Sequence, residues 1–268
     1  MPRLIDSHAH LQATAFDSDA EQVLAVARAT GVERMLVPGW DLESSRASVE
    51  LARSAGVGAS AGIHPHVASE QGASAWQAVA AMVSLPDVVA VGETGLDYDR
   101  GFSPRDAQLA NLRWHLGLAR DSGKPAILHC RSKPGERDAQ DDLIRELAEA
   151  GGPPALLHSF SGPVDYAERA LEMGLYVSFS GLAFRAGEEV TADVACLVPA
   201  DRLLVETDSP YLSPPGAPRR RNTPEWVRVT VAWLAQQRGT TLDELGPQLV
   251  SNYDRLFTKS ESAPDPRR

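Results

Sequence analysis

Most of the histidines in this sequence follow runs of apolar residues, and several carboxylates do the same. Six of the seven histidines lie in such positions, namely His8, His10, His64, His66, His129 and His158. Glu93, Glu206 and Asp208 lie at the ends of apolar segments of their own. Imidazole and carboxylate groups together are common ligands of divalent metal ions in hydrolytic enzymes. The residue types therefore indicate a metal site assembled from segments that are distant in sequence.

The segment LIDSHAH, residues 4–10, carries the first two histidines. In a β-strand, residues i and i+2 point to the same face, so a strand here would place His8 beside His10. Two adjacent imidazoles at a strand end form half of a metal site. The alternative is a hydrogen-bonded histidine pair in the core, and the remaining ligands must come from other parts of the chain.

Two carboxylates are candidates for both metal binding and catalysis. Glu93 ends the segment VVAVGE, which would bury it, and a buried carboxylate needs a cation or strong hydrogen-bond donors. We therefore expect Glu93 to bridge two metal ions. Asp208 follows the segment LLVET and is expected to bind metal and to accept a proton. Glu206, two residues earlier, is expected to orient a metal-binding histidine.

His129 and His158 share one local design, because each follows a Pro-Ala pair and two further apolar residues. Four histidines and two carboxylates exceed what a single tetrahedral zinc site uses. Two divalent ions about 3.5–4 Å apart would use all six groups, and the ions could be magnesium, manganese or zinc. His64 and His66, in the segment GIHPH, are expected to bind a substrate phosphate or to orient the site.

Eight apolar, often β-branched runs recur at intervals of roughly 25 to 35 residues. They span residues 4–10, 33–39, 56–65, 88–97, 125–131, 154–160, 175–181 and 203–210. Helical patterns with start and stop signals cover residues 17–31, 43–56, 103–123, 163–174, 223–239 and 241–257. Eight strand–helix units in 268 residues favour a closed parallel barrel. The predicted fold is α/β, a (β/α)8 TIM barrel, with the histidines at the carboxyl ends of its strands, where barrel enzymes build their active sites.

Length, charge and cysteine content narrow the class of protein further. Residues 1–259 are predicted to form a single metal-dependent hydrolase barrel domain, followed by a flexible C-terminal tail over residues 260–268. The net charge of −10 argues against non-specific coating of nucleic acid or of an anionic membrane. Two cysteines without framework spacing suit a reducing compartment, so we expect a cytoplasmic protein. No run approaches the roughly 18 apolar residues of a membrane helix.

Seven motifs together resemble those of the TatD family of metal-dependent deoxyribonucleases, which belongs to the amidohydrolase superfamily of barrels. In chain order they are DSHAHL, AGIHPH, GETGLDYDR, LHCR, LHSFSG, ETDSPYL and RRRNTPEW, and they cover roughly residues 4–257. The resemblance implies hydrolysis of phosphodiester bonds, often as a 3′-to-5′ exonuclease on single-stranded or damaged DNA and sometimes on RNA. DNA repair is one process that such an activity would serve.

The resemblance also assigns the metal ligands residue by residue. It implies that His8, His10 and Asp208 hold one metal, that His129 and His158 hold the other, and that Glu93 bridges them. His64 matches a histidine that the family associates with the substrate phosphate. In the expected reaction a metal-bound hydroxide attacks phosphorus, Glu93 fixes the metal pair and Asp208 takes or relays the proton.

Two features depart from the family pattern. Family members often have an aspartate shortly after the first His-x-His, where this chain has Gln12. The segment 132–140, SKPGERDAQ, resembles a short insertion on the catalytic face and could alter the preferred shape or length of the substrate.

Arginines near the strand ends are the candidates for binding a phosphate backbone, because their planar donor groups match phosphate oxygens. They are Arg131, Arg219, Arg220 and Arg221, with Lys133 and Arg137 as further possible contacts. For the Arg219–Arg221 run, a solvated charged surface is the alternative. Few aromatic residues are available for base stacking, namely Tyr98, Phe102 and Phe184. We therefore expect binding that is led by phosphate contacts and weakly selective for sequence.

Two other functions remain open from the sequence. One is an ester or amide hydrolase of the same superfamily, such as an aminoacyl-tRNA deacylase, although related barrels often bridge their metals with a modified lysine where this chain has Glu93. The other is a barrel with a vestigial site that serves as a metal-bound scaffold. The complete set of six ligands argues against the scaffold, and no obligate protein partner is evident.

Overall fold

Eight parallel β-strands, each hydrogen-bonded to the next in chain order, form the centre of the protein. The structure is a computed structural model that describes residues 3–258. The strands are β1 (Leu4–Asp6), β2 (Val32–Val37), β3 (Gly58–Ala61), β4 (Val88–Asp97), β5 (Ala126–Arg131), β6 (Ala155–Leu157), β7 (Tyr176–Phe179) and β8 (Leu203–Val205). The predicted (β/α)8 barrel is confirmed, whereas the predicted tail at residues 260–268 lies outside the described residues.

Backbone hydrogen bonds between the first and last strand segments close the barrel. The amide of Ser7 donates to the carbonyl of Val205 at 3.0 Å, and the amide of Asp208 donates to the carbonyl of His8 at 2.9 Å. Closure therefore places His8 and Asp208, which are 200 positions apart in sequence, in adjacent segments at the same end of the barrel.

Nine helices surround the strands within residues 3–258. They are α1 (Ala20–Ala29), α2 (Leu42–Ala55), α3 (Ala73–Val83), α4 (Arg105–Ser122), α5 (Asp138–Glu149), α6 (Val164–Glu172), α7 (Thr191–Leu197), α8 (Val227–Gln237) and α9 (Leu242–Phe257). All six predicted helices are present, and α3, α5 and α7 occupy stretches for which no helix was predicted. Over the same residues, no helix combines the length and the apolar character that crossing a membrane requires.

Reciprocal capping by side chains sets where α2 and α9 begin. The Asp41 carboxylate accepts the Ser44 amide at the start of α2, and the Ser44 hydroxyl accepts the Asp41 amide in return. Helix α4 begins at Arg105, two residues after the start of the predicted helical pattern. The Ser103 hydroxyl donates to the carbonyl of His66, at 3.0 Å, and joins two loops of the site.

Several strands are shorter than the apolar runs that predicted them. Strand β1 ends at Asp6 and β8 ends at Val205, so His8, His10 and Asp208 lie in the loops that follow. Those loops are buried in the mouth of the barrel, and a buried loop has the same apolar composition as a strand. Composition alone could not separate the two.

The segment 132–140, suggested by the sequence as an insertion, is a short loop that leads into α5. Helix α5 begins at Asp138, so the end of the segment is its first turn. The Ser132 hydroxyl donates to the Asp138 carboxylate at 3.0 Å and fixes the loop to the helix.

One continuous hydrophobic core joins the strands to the helices. Ile127 and Leu156 on the strands, and Leu112 and Leu143 on the helices, are fully buried. Burying one such side chain contributes about 1.5–3 kcal/mol. This packing makes the barrel a rigid frame for the loops at its mouth.

Gly95 on β4 allows the close approach of β4 to β5 beside the site. It pairs with His129 and adopts a φ of +138°, and a Cβ there would lie 1.9 Å from the carbonyl oxygen of His129. Any side chain must push the two strands apart, and with them the imidazole of His129.

We predict that Gly95→Ala destabilises the protein by at least about 1–3 kcal/mol, because of this overlap and the left-handed backbone. Gly117→Ala is the matched control, since a Cβ on Gly117 in α4 meets nothing within 4 Å. It should stabilise by about 0.5–1 kcal/mol, as alanine favours a helix over glycine. Urea unfolding measures both, and equal midpoints for the two variants would contradict the prediction.

Candidate metal centre

The carboxylate of Glu93 lies at the centre of a group of imidazoles in the mouth of the barrel. Glu93 is 2% exposed and is presented by β4. Its Oε1 lies 2.9 Å from His158 Nε2, 3.2 Å from His64 Nε2 and 3.3 Å from His129 Nδ1, and its Oε2 lies 3.2 Å from His8 Nε2 and 3.8 Å from His10 Nε2. The two carboxylate oxygens therefore face two different sets of histidines.

The Oε2 side contains the first predicted ligand set. His8 Nε2 and His10 Nε2 are 3.1 Å apart, and Asp208 Oδ1 lies 3.7 Å from the former and 3.3 Å from the latter. Ligand atoms about 2.1 Å from one metal lie about 3.0–3.4 Å from each other, in octahedral or tetrahedral geometry. Two of the three separations lie within this range and the third exceeds it by 0.3 Å, and the nitrogen–oxygen donor set is one that suits a divalent cation.

The Oε1 side contains the second set. His129 Nδ1 lies 3.2 Å from His158 Nε2, and both face Glu93 Oε1. The other ring nitrogen of His158, Nδ1, lies 3.1 Å from the buried carboxylate of Glu206. A carboxylate behind a metal-binding imidazole fixes its tautomer and the direction of its free nitrogen. The contact predicted for Glu206 is therefore present.

Asp97 supports the histidines on the Oε1 side, although no role was predicted for it from the sequence. Its Oδ2 lies 2.7 Å from His66 Nε2 and 3.2 Å from His129 Nε2, and the residue is 1% exposed. A signal was available, because Glu93 and Asp97 are four residues apart on one strand and so point to the same face. His66 was predicted to contact substrate. Its ring and that of His129 contact the same Asp97 carboxylate oxygen, so Asp97 links the two histidines.

His64 directs one nitrogen at the cluster. Its Nδ1 accepts the amide of His66 at 3.1 Å, while its Nε2 faces Glu93 Oε1. Burial lowers the pKa of His64 to about 4, against the opposing effect of Glu93. The ring is therefore neutral near pH 7, with its proton on Nε2.

Burial and neighbouring charge act in opposite directions on the two central carboxylates. Burial favours the neutral acid in Glu93, but His158 and His64 prevail and hold the pKa of Glu93 well below its usual range. The pKa of Asp208 is lowered in the same way, since the contact with His10 outweighs burial. Both groups are anions at neutral pH, which is the form that binds a cation.

A buried histidine outside the cluster holds the loop that carries His64. His115 Nδ1 donates to the Asn111 carbonyl at 2.8 Å, and its Nε2 accepts the Ile63 amide at 3.1 Å. The Asn111 side-chain amide donates to the Ile63 carbonyl at 2.7 Å. Both polar groups of Ile63 are thus satisfied from α4, and His64 follows directly in the chain.

The cluster opens into a cavity of about 600 Å³. Arg131 lines it, and its Nε donates to Asp99 at 2.8 Å. Arg100, which the sequence did not single out, lines it too. Among the described residues, these two are the arginines of the cavity wall, and neither Lys133 nor Arg137 reaches it.

The run Arg219–Arg221 does not line the cavity. The guanidinium of Arg221 is held by the Asp19 carboxylate at 2.5 Å and lies over the ring of Phe16. The expectation that these arginines lie beside the cluster is not met, because an ion pair and a ring contact turn Arg221 towards α1. Gln12 is likewise engaged elsewhere, since its side-chain amide donates to the Pro38 carbonyl at 2.6 Å.

A parallel eight-stranded barrel with imidazoles and carboxylates gathered at the carboxyl ends of its strands defines a metal-dependent hydrolase. The family model described as TatD related DNase matches residues 5–258, so the chain belongs to that family. The 3′-5′ ssDNA/RNA exonuclease TatD of Cronobacter turicensis is 37% identical over 267 residues, covering 97% of this chain and 99% of that protein. The uncharacterized metal-dependent hydrolase YabD of Bacillus subtilis is 32% identical over 257 residues, covering 95% and 98%. The crystal structure of YjjV, a TatD homologue from Escherichia coli, is similar with a TM-score of 0.85 and 29% identity, covering 95% and 98%.

We predict that His115 makes the metal-free protein less stable in mild acid. Its pKa is lowered to about 4 by burial, whereas an unfolded histidine has a pKa of about 6.5. As pH falls from about 6.5 to 4, the unfolded chain binds a proton that the folded chain refuses. Stability that is fully present above pH 6.5 is therefore lost across this window, by up to about 3 kcal/mol.

The test compares urea unfolding of wild type and His115→Gln in EDTA at pH 7.5 and at pH 5. Other histidines titrate in both proteins, so the difference between the two isolates His115. The wild type should lose about 2 kcal/mol more than the variant at pH 5. Parallel losses would show that His115 is not held neutral.

We also predict that Asp97→Asn weakens metal binding on the His129 side, because the neutral amide no longer orients the ring through a charged acceptor. Loss of such a supporting carboxylate typically costs 10–100-fold in metal affinity. Calorimetric titration with Mn²⁺ measures the affinity, and Asp193→Asn makes the same change at an exposed position as the control. Unaltered affinity in Asp97→Asn would remove the supporting role.

Proposed function

We propose that the protein is a two-metal phosphodiesterase that removes nucleotides from the 3′ end of single-stranded or damaged DNA, and also of RNA. The observation that carries this proposal is the division of the cluster by Glu93, with each carboxylate oxygen facing its own set of imidazoles. The printed activity of the relative from Cronobacter turicensis supports the polarity and the single-stranded substrate.

Six groups would hold the two cations. His8, His10 and Asp208 form one set, His129 and His158 form the other, and Glu93 belongs to both. The mixture of imidazole and carboxylate is compatible with magnesium, manganese or zinc. Bound divalent cations supply Lewis acidity, which lowers the pKa of water and neutralises charge on a phosphoryl group.

The residues of the chain supply the proton acceptor and the geometry. Asp208 is an anion whose Oδ1 faces His8 and His10, which leaves Oδ2 to take the proton from the attacking water. Glu206 and Asp97, behind His158 and His129, fix the directions in which these imidazoles point.

Three groups are placed to bind the phosphate. His64 is neutral and directs its Nε2–H at Glu93 Oε1, 3.2 Å away, so a phosphate bound beside the cluster would share this donor with Glu93 and gain no added charge. Arg100 and Arg131 line the cavity and can donate to the non-bridging oxygens. These groups would contact the phosphates of the nucleic-acid backbone and none of its bases, which agrees with the expected weak selectivity for base sequence.

We further propose that the enzyme acts in the cytoplasm, in DNA repair or nucleic-acid turnover, as a single barrel domain over residues 1–259. Its two free cysteines, Cys130 and Cys196, support a reducing compartment.

We predict that Asp208→Asn lowers kcat about 10²–10⁴-fold on a single-stranded oligonucleotide, because the amide cannot accept the proton. Substrates labelled at the 3′ or 5′ end report polarity, since only 3′-to-5′ digestion releases the 3′ label as the first mononucleotide. EDTA should abolish turnover and Mn²⁺ or Mg²⁺ should restore it.

The Asp193→Asn variant serves again as the control and should retain wild-type turnover. Metal analysis of the loaded wild type should give two ions per chain. Digestion that Asp208→Asn leaves intact removes Asp208 from the mechanism. An enzyme that spares every oligonucleotide but deacylates aminoacyl-tRNA would instead support the ester-hydrolase alternative.

A further inference from the structure

Two exposed aromatic side chains flank the cavity. Among the described residues, four large hydrophobic side chains are strongly exposed, namely Val26 at 40%, Phe102 at 66%, Leu197 at 39% and Tyr211 at 56%. The two aromatic ones line the cavity, and the two aliphatic ones do not. Exposed rings thus coincide with the proposed active site.

The two rings lie on opposite sides of the metal cluster. Tyr211 follows β8, and its ring centroid lies 5.8 Å from that of His10, on the Oε2 side of Glu93. Phe102 follows β4, and its ring centroid lies 4.8 Å from that of His66, which contacts the Oε1 side through Asp97. In an eight-stranded barrel with the order β1 to β8, strands β4 and β8 face each other across the mouth.

The other aromatic candidates from the sequence are engaged in structural contacts. The Tyr98 hydroxyl donates to Asp142 at 2.8 Å, and the guanidinium of Arg105 covers the ring at 5.0 Å. Phe184 packs against Trp233, with ring centroids 5.8 Å apart. Neither residue lines the cavity, in contrast to Phe102 and Tyr211.

We propose that Phe102 and Tyr211 form an aromatic clamp that stacks the bases of the two nucleotides on either side of the cleaved phosphodiester. This inference rests on the proposed function and identifies how the substrate is held. Stacking accepts any base, since every base has a π face, and each stacked base typically accounts for about 5- to 100-fold in affinity.

The clamp also accounts for selection of single strands. Bases that contact rings on opposite sides of the cavity must be separated from each other, because neighbouring bases in a duplex stack directly on one another. Separation is least costly where no complementary strand holds the bases, which favours single-stranded and damaged ends. The clamp would therefore reject an intact duplex end.

The test combines protein and substrate changes. Oligonucleotides carry an abasic nucleotide at the 3′ end, at the penultimate position or at neither. On the complete oligonucleotide, Phe102→Ala and Tyr211→Ala should each raise KM about 5- to 100-fold. Each variant should have the same KM as the wild type on the substrate that lacks the base its missing ring would stack. That abasic position should differ between the two variants.

Conservative and positional variants separate stacking from folding. Phe102→Tyr and Tyr211→Phe keep a ring and should restore most of the affinity. Val26→Ala and Leu197→Ala remove exposed apolar side chains away from the cavity and should leave KM unchanged. Variants that raise KM equally on all three substrates, or that leave it unchanged on all three, overturn the clamp.

Binding keeps the clamp testable apart from turnover. Fluorescence anisotropy of the same oligonucleotides with the Asp208→Asn protein, with and without each alanine change, gives Kd without cleavage. A wild type that does not cleave any oligonucleotide overturns the proposed function alone. If Kd changes neither when a ring is removed nor when a base is removed, the clamp is overturned, even where the enzyme digests DNA.

Discussion

The buried charge of Glu93 is the constraint on which the rest of the site depends. A carboxylate at 2% exposure is costly to remove from water, so it must be held by the groups around it, and the surrounding imidazoles keep its pKa well below the usual range. Strand β4 is the longest strand of the barrel, at ten residues, and carries this group deep into the mouth. Strand β5 and the loops after β1, β6 and β8 then supply ligands to it. The buried charge on β4 therefore determines which kinds of side chain the neighbouring segments must supply.

The supporting carboxylates solve a second problem, which is the freedom of each imidazole to rotate and to exchange tautomers. Glu206 behind His158 and Asp97 behind His129 each accept from the ring nitrogen that faces away from Glu93. Glu206 follows strand β8, and Asp97 is the last residue of strand β4. The same rigid barrel therefore positions both the imidazoles and the carboxylates that orient them. The geometry is fixed before any substrate arrives, which is what preorganised electrostatic catalysis requires.

The sequence predicted those parts of the molecule that depend on local pattern. All eight strands were recognisable from their apolar runs, and the groups gathered around Glu93 were recognisable from their places after those runs. The length of β1 was wrong because residues after Asp6 are as buried as the strand itself. The support from Asp97 was overlooked although its spacing from Glu93 was visible.

The directions in which loop side chains point could not be predicted from the sequence. Arg219–Arg221 and Arg100 are all arginines that follow barrel strands, and only the structure separates them. Arg221 is turned away by Asp19, a residue distant in sequence, whereas Arg100 remains at the cavity. Long-range ion pairs of this kind depend on which helix packs beside which loop, and no short motif encodes that.

Charge at the cavity gives these arginines their importance. Two divalent cations, as proposed, would leave a surplus of about +2 after Glu93 and Asp208 are counted, and the carboxylates of Asp97 and Glu206 cancel that surplus. In a chain of net charge −10, the attraction that draws a phosphate backbone into the cavity must then come from groups on its wall. Arg100 and Arg131 are the two arginines among its described lining residues, and Asp99 offsets part of the charge of Arg131. The cations would activate the cleaved bond, and the arginines would attract the nucleic-acid strand electrostatically from a distance.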